Sequence, residues 1–437
     1  MLKYSDCALQ SRPDRGRGGF MAKVVNQQAS KGRKSVDHDR NALLRSTPQR
    51  GSNQSTVRDY NERLVLQLIR NHGWLTKSEA TVATGLSPNA VSVIFKSLDR
   101  AGLLVRGKPE RGRIGQPSVP SAINPDAKRY MGLKIGRRST ELVIIDFAGG
   151  VVSRACEFHQ YPVPERCIAF VDRAIPEVLG AAGINASQVA GFGVAMPWEL
   201  WSWTEEAGAP KEVMEAWMAF DVEGALNRLG PWRVTVANDG TAACTAELMH
   251  GRHLDKTDFV YFFVGTFIGG GIVLNSSVFF GRQGNAGGFG PLRVPGGPPG
   301  KDRLVDCASL SVFEDRVRQA GGDPARVAAD DGVWSAHPAE AADWIVTCAR
   351  GLSHAVISSL AVIDFDSVII DGAFPDDVRR AVVTAVQAEL DKADLQGVGR
   401  PRVEAGKFGG VARAVGAATL PMYEDYAINQ NTLMRSG

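Results

Sequence analysis

The chain has 437 residues, 44% of them hydrophobic, which is typical of a soluble globular protein with two or three domains. No apolar run approaches the roughly 18–20 residues that cross a bilayer, and no secretion signal opens the chain, so we expect a cytoplasmic protein without membrane contact. The net charge of +3 hides an asymmetry along the chain. Residues 1–130 carry 23 Lys and Arg against 10 Asp and Glu, whereas residues 131–437 carry 27 Lys and Arg against 37 Asp and Glu. This asymmetry predicts a polyanion-binding module joined to an acidic body.

The first segment, residues 1–55, mixes Arg, Lys, Ser, Gln and Gly with few aromatic residues. We predict a disordered basic arm that adds affinity for phosphates. From Val57 to Gly73 apolar residues recur at helical spacing, which predicts a first helix. These residues are Leu64, Val65, Leu68 and Ile69.

Two capped helices, separated by a short glycine-containing turn, are predicted next. The first runs from Lys77 to about Thr84, with a capping box of Thr76 and Glu79 at its start. Gly85 ends it.

The second of these helices has a strong start signal, because Ser87 can cap it and Pro88 stands at its first position. It ends near Gly102, and after it come a strand, a basic glycine-rich tip and another extended stretch. This order predicts a winged helix-turn-helix over residues 56–125 that binds a double-stranded DNA operator. The alternative is an ordinary three-helix unit with a solvated loop. One apolar face of the second helix is expected to be buried: Val91, Ile94, Phe95 and Leu98.

The opposite face of the same helix carries short polar side chains that can reach base edges, and a lysine that suits a phosphate. Arginines on the tip suit a minor groove or the DNA backbone. The predicted DNA-binding residues are Lys77, Ser87, Asn89, Ala90, Ser92, Val93, Lys96, Arg111, Arg113 and Gln116.

Beyond Met131 the pattern becomes α/β, with helices at Cys167–Ala181 and Ala341–Leu360 among the strands. Two strand–glycine turn–strand patterns about 130 residues apart predict a duplicated βββαβα unit with a cleft between the copies. The predicted strands are Leu142–Phe147, Val189–Ala195, Arg233–Ala237, Phe259–Val264, Ile272–Leu274 and Ser367–Ile370.

The chain resembles the ROK family of repressors, open reading frames and sugar kinases from about Gly51 to Leu420. The resemblance is carried by "GLSPNAVSVIFKSLDRAGLL", "GQP", "GFGVAMP", "VANDGTAACTAE", "VGTFIGGGIVLN", "GNAGGFG" and "VIIDGA" in this order. It implies a multidomain protein of the repressor branch, with an α-rich winged helix-turn-helix before a two-lobed α/β body of actin-like ATPase (ribonuclease H-like) fold. That body would span residues 126–425, followed by a tail at 426–437, and would form a homodimer or homotetramer.

The family's kinases read D-x-G-G-T in the first hairpin of the body, where the Asp organises Mg²⁺ and the following residues accept ATP phosphates. The matching residues here are Lys134 to Arg138, "KIGRR". The Lys134 ammonium would repel the metal, and the side chains of Arg137 and Arg138 would obstruct the phosphates. Two alternatives for these positive charges are that they hold an anionic effector or that they form a structural ion-paired loop. We therefore expect no cofactor and no phosphoryl transfer.

Asn238 and Asp239 match the family's sugar-binding Asn and catalytic Asp. Asp239 is a candidate base of a degenerate site, and without reaction both residues can bind sugar hydroxyls. The alternative is that one of them caps the following helix. The predicted effector-binding set adds Gly265 and Thr266 of the glycine-rich "VGTFIGGGIV", whose glycines we expect to serve positive φ angles.

The family's E-x-G-H element and zinc loop are missing. Gly288 to Pro291 replaces the first, Arg303 and Val305 stand where a zinc ligand and a sugar-binding Glu would align, and only Cys307 remains. Since the six cysteines form no CxxC pair, we expect reduced thiols and no metal. Three tryptophans can stack on a sugar or pack in the interior: Trp198, Trp201 and Trp203.

The resemblance and the residues together predict a DNA-binding transcriptional regulator, in particular a repressor, whose body senses a sugar or a related small molecule. Two alternatives remain open. One is an active ATP-dependent sugar kinase with a DNA-binding head, and the other is a scaffold whose basic arm binds DNA without sequence preference.

Overall fold

The computed structural model describes residues 54–109, 118–202, 204, 208–251, 256–295, 300–328 and 330–428. All of them belong to the structural unit Ser52–Ser436. The predicted basic arm lies outside the described residues, apart from Gln54 and Ser55, which open the first helix. Four predicted site residues lie outside them as well: Arg111, Arg113, Gln116 and Trp203.

The first described region contains three helices and a two-stranded antiparallel sheet, in which Leu104 pairs with Ile123. The predicted limits of the second and third helices are confirmed, and Gly85 after the second has a φ of 67°. The elements are α1 Gln54–His72, α2 Lys77–Thr84, α3 Pro88–Arg100, β1 Leu104–Arg106 and β2 Ser121–Ile123.

Side-chain caps define where α2 and α3 begin. The Thr76 hydroxyl accepts the amide N–H of Glu79 at 3.2 Å, and the Glu79 carboxylate accepts the amide N–H of Thr76 at 2.8 Å, which confirms the capping box. At α3 the Ser87 hydroxyl accepts the amide N–H of Ala90 at 3.2 Å. These bonds satisfy N–H groups that the first turn of a helix leaves without partners.

The three helices share one apolar core. All four residues predicted for the inner face of α3 are buried: Val91, Ile94, Phe95 and Leu98. On α1 the buried apolar residues are Val65, Leu66 and Ile69. Leu66 thus takes an inner position that the sequence pattern gave to Leu64 and Leu68, both of which are half-buried.

The next region forms a five-stranded sheet in the order β5-β4-β3-β6-β7. The first three strands are antiparallel neighbours, and β6 and β7 extend the sheet in parallel with β3. The elements are β3 Arg129–Ile135, β4 Ser139–Asp146, β5 Val151–Phe158, α4 Pro164–Ala181, β6 Val189–Met196, α5 Lys211–Ala219, α6 Val222–Asn227 and β7 Val234–Asn238.

A second five-stranded sheet has the order β10-β9-β8-β11-β12, with the same alternation of antiparallel and parallel neighbours. The first strand of this sheet along the chain, β8, begins at Phe259, which is 130 residues after the start of β3 at Arg129. This repeat of the strand order confirms the predicted duplication. The elements are α7 Asp239–His250, β8 Phe259–Val264, β9 Ile268–Leu274, β10 Ser277–Val278, α8 Val305–Ala308, α9 Leu310–Gln319, α10 Gly332–Ala336, α11 Pro338–Ile363, β11 Ser367–Gly372, α12 Asp376–Lys392, β12 Arg402–Ala405 and α13 Ala412–Tyr426.

Helices α7 and α13 pack against each other and against the sheets, and glycines let the backbones approach closely. A Cβ atom at Gly193 of β6 would stand 1.7 Å from the Ala417 carbonyl oxygen of α13. A Cβ atom at Gly416 of α13 would stand 2.2 Å from the Ala242 carbonyl oxygen of α7. Because closely packed interiors do not deform gradually, α7 and α13 form one stiff pair.

Helix α11 is long and apolar enough to cross a membrane by length and composition alone. The prediction that no apolar segment approaches that length was wrong in this respect. Half of its most apolar window is buried inside the protein, and Trp344, Leu352 and Val356 join the core that covers the second sheet. This burial is typical of a core helix.

Candidate functional site

A cavity of about 210 Å³ lies where β7 meets α7, and we call it the β7–α7 cavity. Asn238 and Asp239 both line it, together with Asn285 of the segment that follows β10. The amides and the carboxylate are groups that bind hydroxyls, which makes this cavity the candidate effector site. It thus contains two of the four predicted effector-binding residues.

Asn238 has a structural role in addition to its place in the cavity. Its side-chain oxygen accepts the amide N–H groups of Gly240 at 2.9 Å and of Thr241 at 3.2 Å, which makes it the N-cap of α7. The capping alternative is therefore confirmed for this residue. Its side-chain nitrogen donates a long hydrogen bond of 3.4 Å to the side-chain oxygen of Asn285.

Asp239, the candidate base, forms an ion pair that the sequence did not suggest. One carboxylate oxygen accepts from the Arg413 guanidinium at 3.2 Å, and the other accepts the amide N–H of Gly240 at 3.0 Å. Arg413 is buried, with its guanidinium 4.8 Å from the centre of the Phe263 ring. These two contacts hold the carboxylate in a fixed position at the start of α7.

Gly265 and Thr266 stand at the turn between β8 and β9. Their carbonyl oxygens accept the amide N–H groups of Leu310 at 2.9 Å and of Ser311 at 3.2 Å, so they hold the start of α9. Thr266 lines a second cavity, not the β7–α7 cavity. The structure therefore does not bring the four predicted effector-binding residues into one pocket.

The glycines of "VGTFIGGGIV" do not have the positive φ angles that we expected, so that prediction was wrong. The physical reason for two of them is close approach of the backbone. A Cβ atom at Gly270 would stand 1.9 Å from the Tyr261 carbonyl oxygen, and one at Gly271 would stand 2.4 Å from the Cys244 Cβ. These positions exclude any side chain whatever their φ angle.

The second cavity, of about 460 Å³, lies beside the β3–β4 hairpin, and we call it the hairpin cavity. Lys134 is buried in its wall, where its ammonium donates to the Ser139 hydroxyl at 2.6 Å and lies 3.9 Å from a carboxylate oxygen of Glu141. The other oxygen of Glu141 lies 2.6 Å from the Arg154 guanidinium. An internal cation thus occupies the hairpin position at which the family's kinases place a metal-organising carboxylate.

The residues of the hairpin do not fit Mg²⁺. This metal requires oxygen ligands, and the position that would supply a carboxylate carries the Lys134 ammonium. In the described part of the chain, no group of three or more His, Cys, Asp or Glu side chains is placed to hold a metal ion.

The two arginines of the turn have different surroundings. Arg137 is buried, with its guanidinium 4.3 Å from the centre of the Phe267 ring, and it lines both cavities. Arg138 is half-buried and donates to the Gln160 carbonyl oxygen at 2.5 Å. These contacts fix the turn and place a cation between the cavities.

The titration of Lys134 gives a testable consequence of its burial. Loss of hydration, with the nearby Arg413 charge adding to it, lowers the pKa of Lys134 from 10.5 to about 8. The folded protein then releases this proton at a lower pH than the unfolded chain, so stability rises with pH above about 8. Relative to Lys134→Met, the free energy of unfolding of the wild type should increase by about 1 kcal/mol between pH 7 and 9. Urea denaturation of both proteins at each pH measures this, and parallel pH profiles would contradict it.

The predicted DNA-contact face is partly exposed. Lys77 at the start of α2 and four residues of the Ser87 cap and α3 are exposed: Ser87, Asn89, Val93 and Lys96. Ala90 and Ser92 are half-buried. The exposed side chains lie on the face of α3 opposite its apolar core.

The missing sugar and zinc motifs leave other groups in their places. Gly288, Gly290 and Pro291 line the β7–α7 cavity but supply no side-chain hydrogen-bonding group. Arg303 forms an ion pair with Asp306 at 3.0 Å, and Val305 is buried. Trp198 lines the cavity, whereas Trp201 packs against the core of the first sheet.

Comparison with known proteins shows which family the body of this chain matches. A model described as the ROK family matches residues 130–423. The uncharacterized protein y4fQ of Sinorhizobium fredii is 25% identical over 383 residues, which cover 84% of this chain and 91% of that protein. The DNA-binding transcriptional dual regulator NagC of Escherichia coli is 23% identical over 252 residues, which cover 55% of this chain and 59% of NagC. The match to NagC thus spans less than two thirds of that protein.

Solved structures share the fold. A ROK family transcriptional regulator, described as a homolog of the E. coli MLC protein, has a TM-score of 0.58 at 18% identity and covers 87% of this chain and 100% of its own. A ROK family glucokinase from Streptomyces griseus, in complex with glucose and AMPPNP, has a TM-score of 0.52 at 19% identity and covers 67% of this chain and 98% of its own. Both a regulator and a kinase therefore have this fold.

Proposed function

Because this chain belongs to the ROK family, we propose that it is a sequence-specific DNA-binding transcriptional regulator, in particular a repressor, whose kinase-like body senses a carbohydrate without phosphorylating it. The single observation that carries the proposal is Lys134 in the place of a metal-organising carboxylate. A body without that carboxylate retains the fold and the cavities of a kinase but lacks a means to position Mg²⁺ and ATP.

The proposed reader is a winged helix-turn-helix formed by α1 to α3, β1 and β2. Its support is the capped α3, with Asn89 and Lys96 exposed opposite a buried apolar face, and the basic tip between the strands. A helix of this kind enters the major groove, where short polar side chains read base edges and lysines hold phosphates. The boundaries 56–125 for the reader and 126–425 for a two-lobed body are part of this proposal.

The proposed effector is a sugar or a related small molecule in the β7–α7 cavity. Its support is the juxtaposition of Asn238, Asp239 and Asn285 with Trp198 at the wall. The ion pair of Asp239 with Arg413 fixes the position of this carboxylate for contact with a sugar hydroxyl.

The helices α7 and α13 form a route between this cavity and the reader. Their first turns are joined by the Asp239–Arg413 pair. At the other end of α7, the His250 ring lies 3.4 Å from the Arg70 guanidinium of α1. At the end of α13, the Ala427 carbonyl oxygen accepts from Arg63 of α1 at 3.0 Å. A ligand that favours one arrangement of this stiff pair would shift α1. In a dimer or tetramer in the cytoplasm, that shift would change the spacing of two readers on a pseudopalindromic operator.

The alternative function is an active sugar kinase with a DNA-binding head, which the retained Asp239 in a hydroxyl-binding cavity favours. Incubation of the full chain with labelled ATP, Mg²⁺ and a panel of hexoses distinguishes the two. We expect no labelled sugar above the background of the reaction without protein. Turnover that depends on Asp239, lost in Asp239→Asn, would establish the kinase.

The reader face provides a matched pair of substitutions. Asn89→Ala should change the preferred DNA sequence, because loss of a base-edge contact costs about 1–3 kcal/mol at one position only. Lys96→Ala should weaken binding to all sequences alike and reduce the slope of log affinity against log salt by about one. Each variant is the control for the other in binding titrations at several salt concentrations. An unchanged preference in Asn89→Ala would remove that residue from the reading face.

A further inference from the structure

A third cavity, of about 210 Å³, lies between the end of β5 and the start of α4, and we call it the α4 cavity. The side chains assigned above to sugar binding do not line it. Its wall includes Thr140, His159, Tyr161 and Arg166. Each of these side chains carries a hydrogen-bond donor, so the cavity has the means to bind a polar ligand.

The ring of His159 is held in this wall with one nitrogen unused. The His159 amide N–H donates to the Arg138 carbonyl oxygen at 3.0 Å, which fixes the backbone. The ring Nε2 lies 3.1 Å from the Thr140 hydroxyl oxygen. Nδ1 is buried without a hydrogen-bond partner, and a buried polar atom of this kind is costly unless a ligand satisfies it.

The groups behind the ring determine what Nδ1 offers to a ligand. The Thr140 hydroxyl oxygen lies 3.3 Å from the Cys167 sulfur, so the thiol can donate to the hydroxyl and the hydroxyl to Nε2. Burial, with the charges of Lys134 and Arg138 adding to it and an interaction with its own backbone opposing it, lowers the pKa of His159 to about 4. The ring is therefore neutral near pH 7, and with Nε2 as acceptor its one proton lies on Nδ1. The unused atom is then a donor that requires an acceptor.

The charged side chains of the wall favour a ligand with a single negative charge. Arg166 is exposed, and in the described part of the chain no carboxylate pairs with it. Glu157 also lines the cavity, but it is paired with Arg173 at 2.7 Å. The wall thus carries one positive and one negative charge, which disfavours a dianion such as phosphate. One guanidinium matches the planar geometry of one carboxylate.

We propose that the α4 cavity binds a small monocarboxylate, as a ligand site separate from the proposed sugar site. The Arg166 guanidinium would hold the carboxylate oxygens, and the Nδ1–H group of His159 would donate to one of them. Phe158 and Val163 line the same cavity and supply apolar surface for the rest of the molecule. The cavity is smaller than those that bind drug-sized ligands, so it suits an acid of a few carbon atoms.

The test is nitrogen NMR of the full chain with isotope-labelled histidines, titrated near neutral pH with acetate, L-lactate and benzoate. The ring signals of His159, assigned by their loss in His159→Gln, should show a proton on Nδ1 before any ligand is added. At least one carboxylate should shift the Nδ1 signal with a Kd of about 1 mM or tighter. The neutral amides of the same three acids are the ligand controls and should cause no shift, because they lack the charge that Arg166 recognises.

Two substitutions remove the proposed contacts one at a time, and calorimetric titration measures their affinities. His159→Gln retains a polar group near the position of Nε2 for Thr140 but lacks a donor at Nδ1. Arg166→Gln removes the guanidinium from an exposed position, where a substitution disturbs the fold little. Each should weaken carboxylate binding at least about tenfold.

The matched control is Arg228→Gln, which removes the same charge from an exposed residue at the end of α6 and should leave the affinity within about twofold. Circular dichroism checks that each variant is folded, and Arg166→Gln tests the site if His159→Gln is not. The proposal is overturned if Nδ1 carries no proton, if none of the three acids binds, if inorganic phosphate binds more tightly than they do, or if Arg166→Gln binds as the wild type does. None of these results would alter sequence-specific DNA binding or sugar binding, so failure here and failure of the regulator proposal are distinguishable.

Discussion

Replacement of Gly193 by alanine is expected to destabilise the protein by about 3 kcal/mol or more. The new Cβ atom would stand 1.7 Å from the Ala417 carbonyl oxygen and 2.7 Å from its carbonyl carbon. Neither atom belongs to a flexible side chain, so α13 must move away from β6. Urea denaturation followed by tryptophan fluorescence measures the loss.

The control is Gly180→Ala, in the last turns of α4, where a Cβ atom meets nothing within 4 Å. This change should be neutral or stabilise by up to about 1 kcal/mol, since alanine is the better helix former. Similar midpoints for the two variants would contradict the close packing of α13 on the first sheet.

The second large effect is expected at Arg70, the buried link between α1 and the body. Its guanidinium donates to the Phe147 carbonyl oxygen at 2.6 Å and lies 4.9 Å from the centre of the Phe147 ring. Burial, with the charge of Arg70 itself adding to it, lowers the pKa of His250 well below its usual range, so the ring is neutral and can accept from Arg70. We expect Arg70→Met to weaken the attachment of α1 by about 2–3 kcal/mol.

Hydrogen exchange detects this change without knowledge of the effector. Amides of α1 should exchange about 30–150 times faster in Arg70→Met, whereas those of β8 should not change. Arg58→Met on the same helix is the control, because among the described residues the ion pair of Arg58 is an exposed one with Glu62 at 3.3 Å, and such pairs contribute little. Unchanged exchange in α1 would show that Arg70 does not hold the reader against the body.

Local signals in the sequence were sufficient to predict several helices and strands of the fold. The Thr76–Glu79 capping box and the Ser87–Pro88 start define helices through contacts within a few residues, so sequence alone predicts them. The strand Phe259–Val264 is a continuous apolar run, and its predicted limits agree with the structure. The duplicated order of strands also follows from the spacing of two glycine-rich turns.

The contacts that decide the chemistry are distant in sequence and were not predicted. Arg413 stands 174 residues from its partner Asp239, and the signal that could have found it is one arginine in the otherwise uncharged first part of α13, residues 412–423. The partners of Lys134 are Ser139 and Glu141 on the neighbouring strand β4, and Glu141 stands opposite Lys134 only because of the strand register. Gly270 and Gly271 were expected to have positive φ angles, because a sequence does not reveal which atoms of other strands and helices approach them.

The most direct test of the central claim, that the chain is a sequence-specific regulator, is selection of bound sequences from a random DNA pool by the full chain. The selection is made at about 0.15 M salt, where the Debye length is about 8 Å and non-specific phosphate binding is weak. The account predicts enrichment of one motif with two related half-sites. Binding without any enriched motif would contradict it and would establish the basic arm as a non-specific anchor of a scaffold.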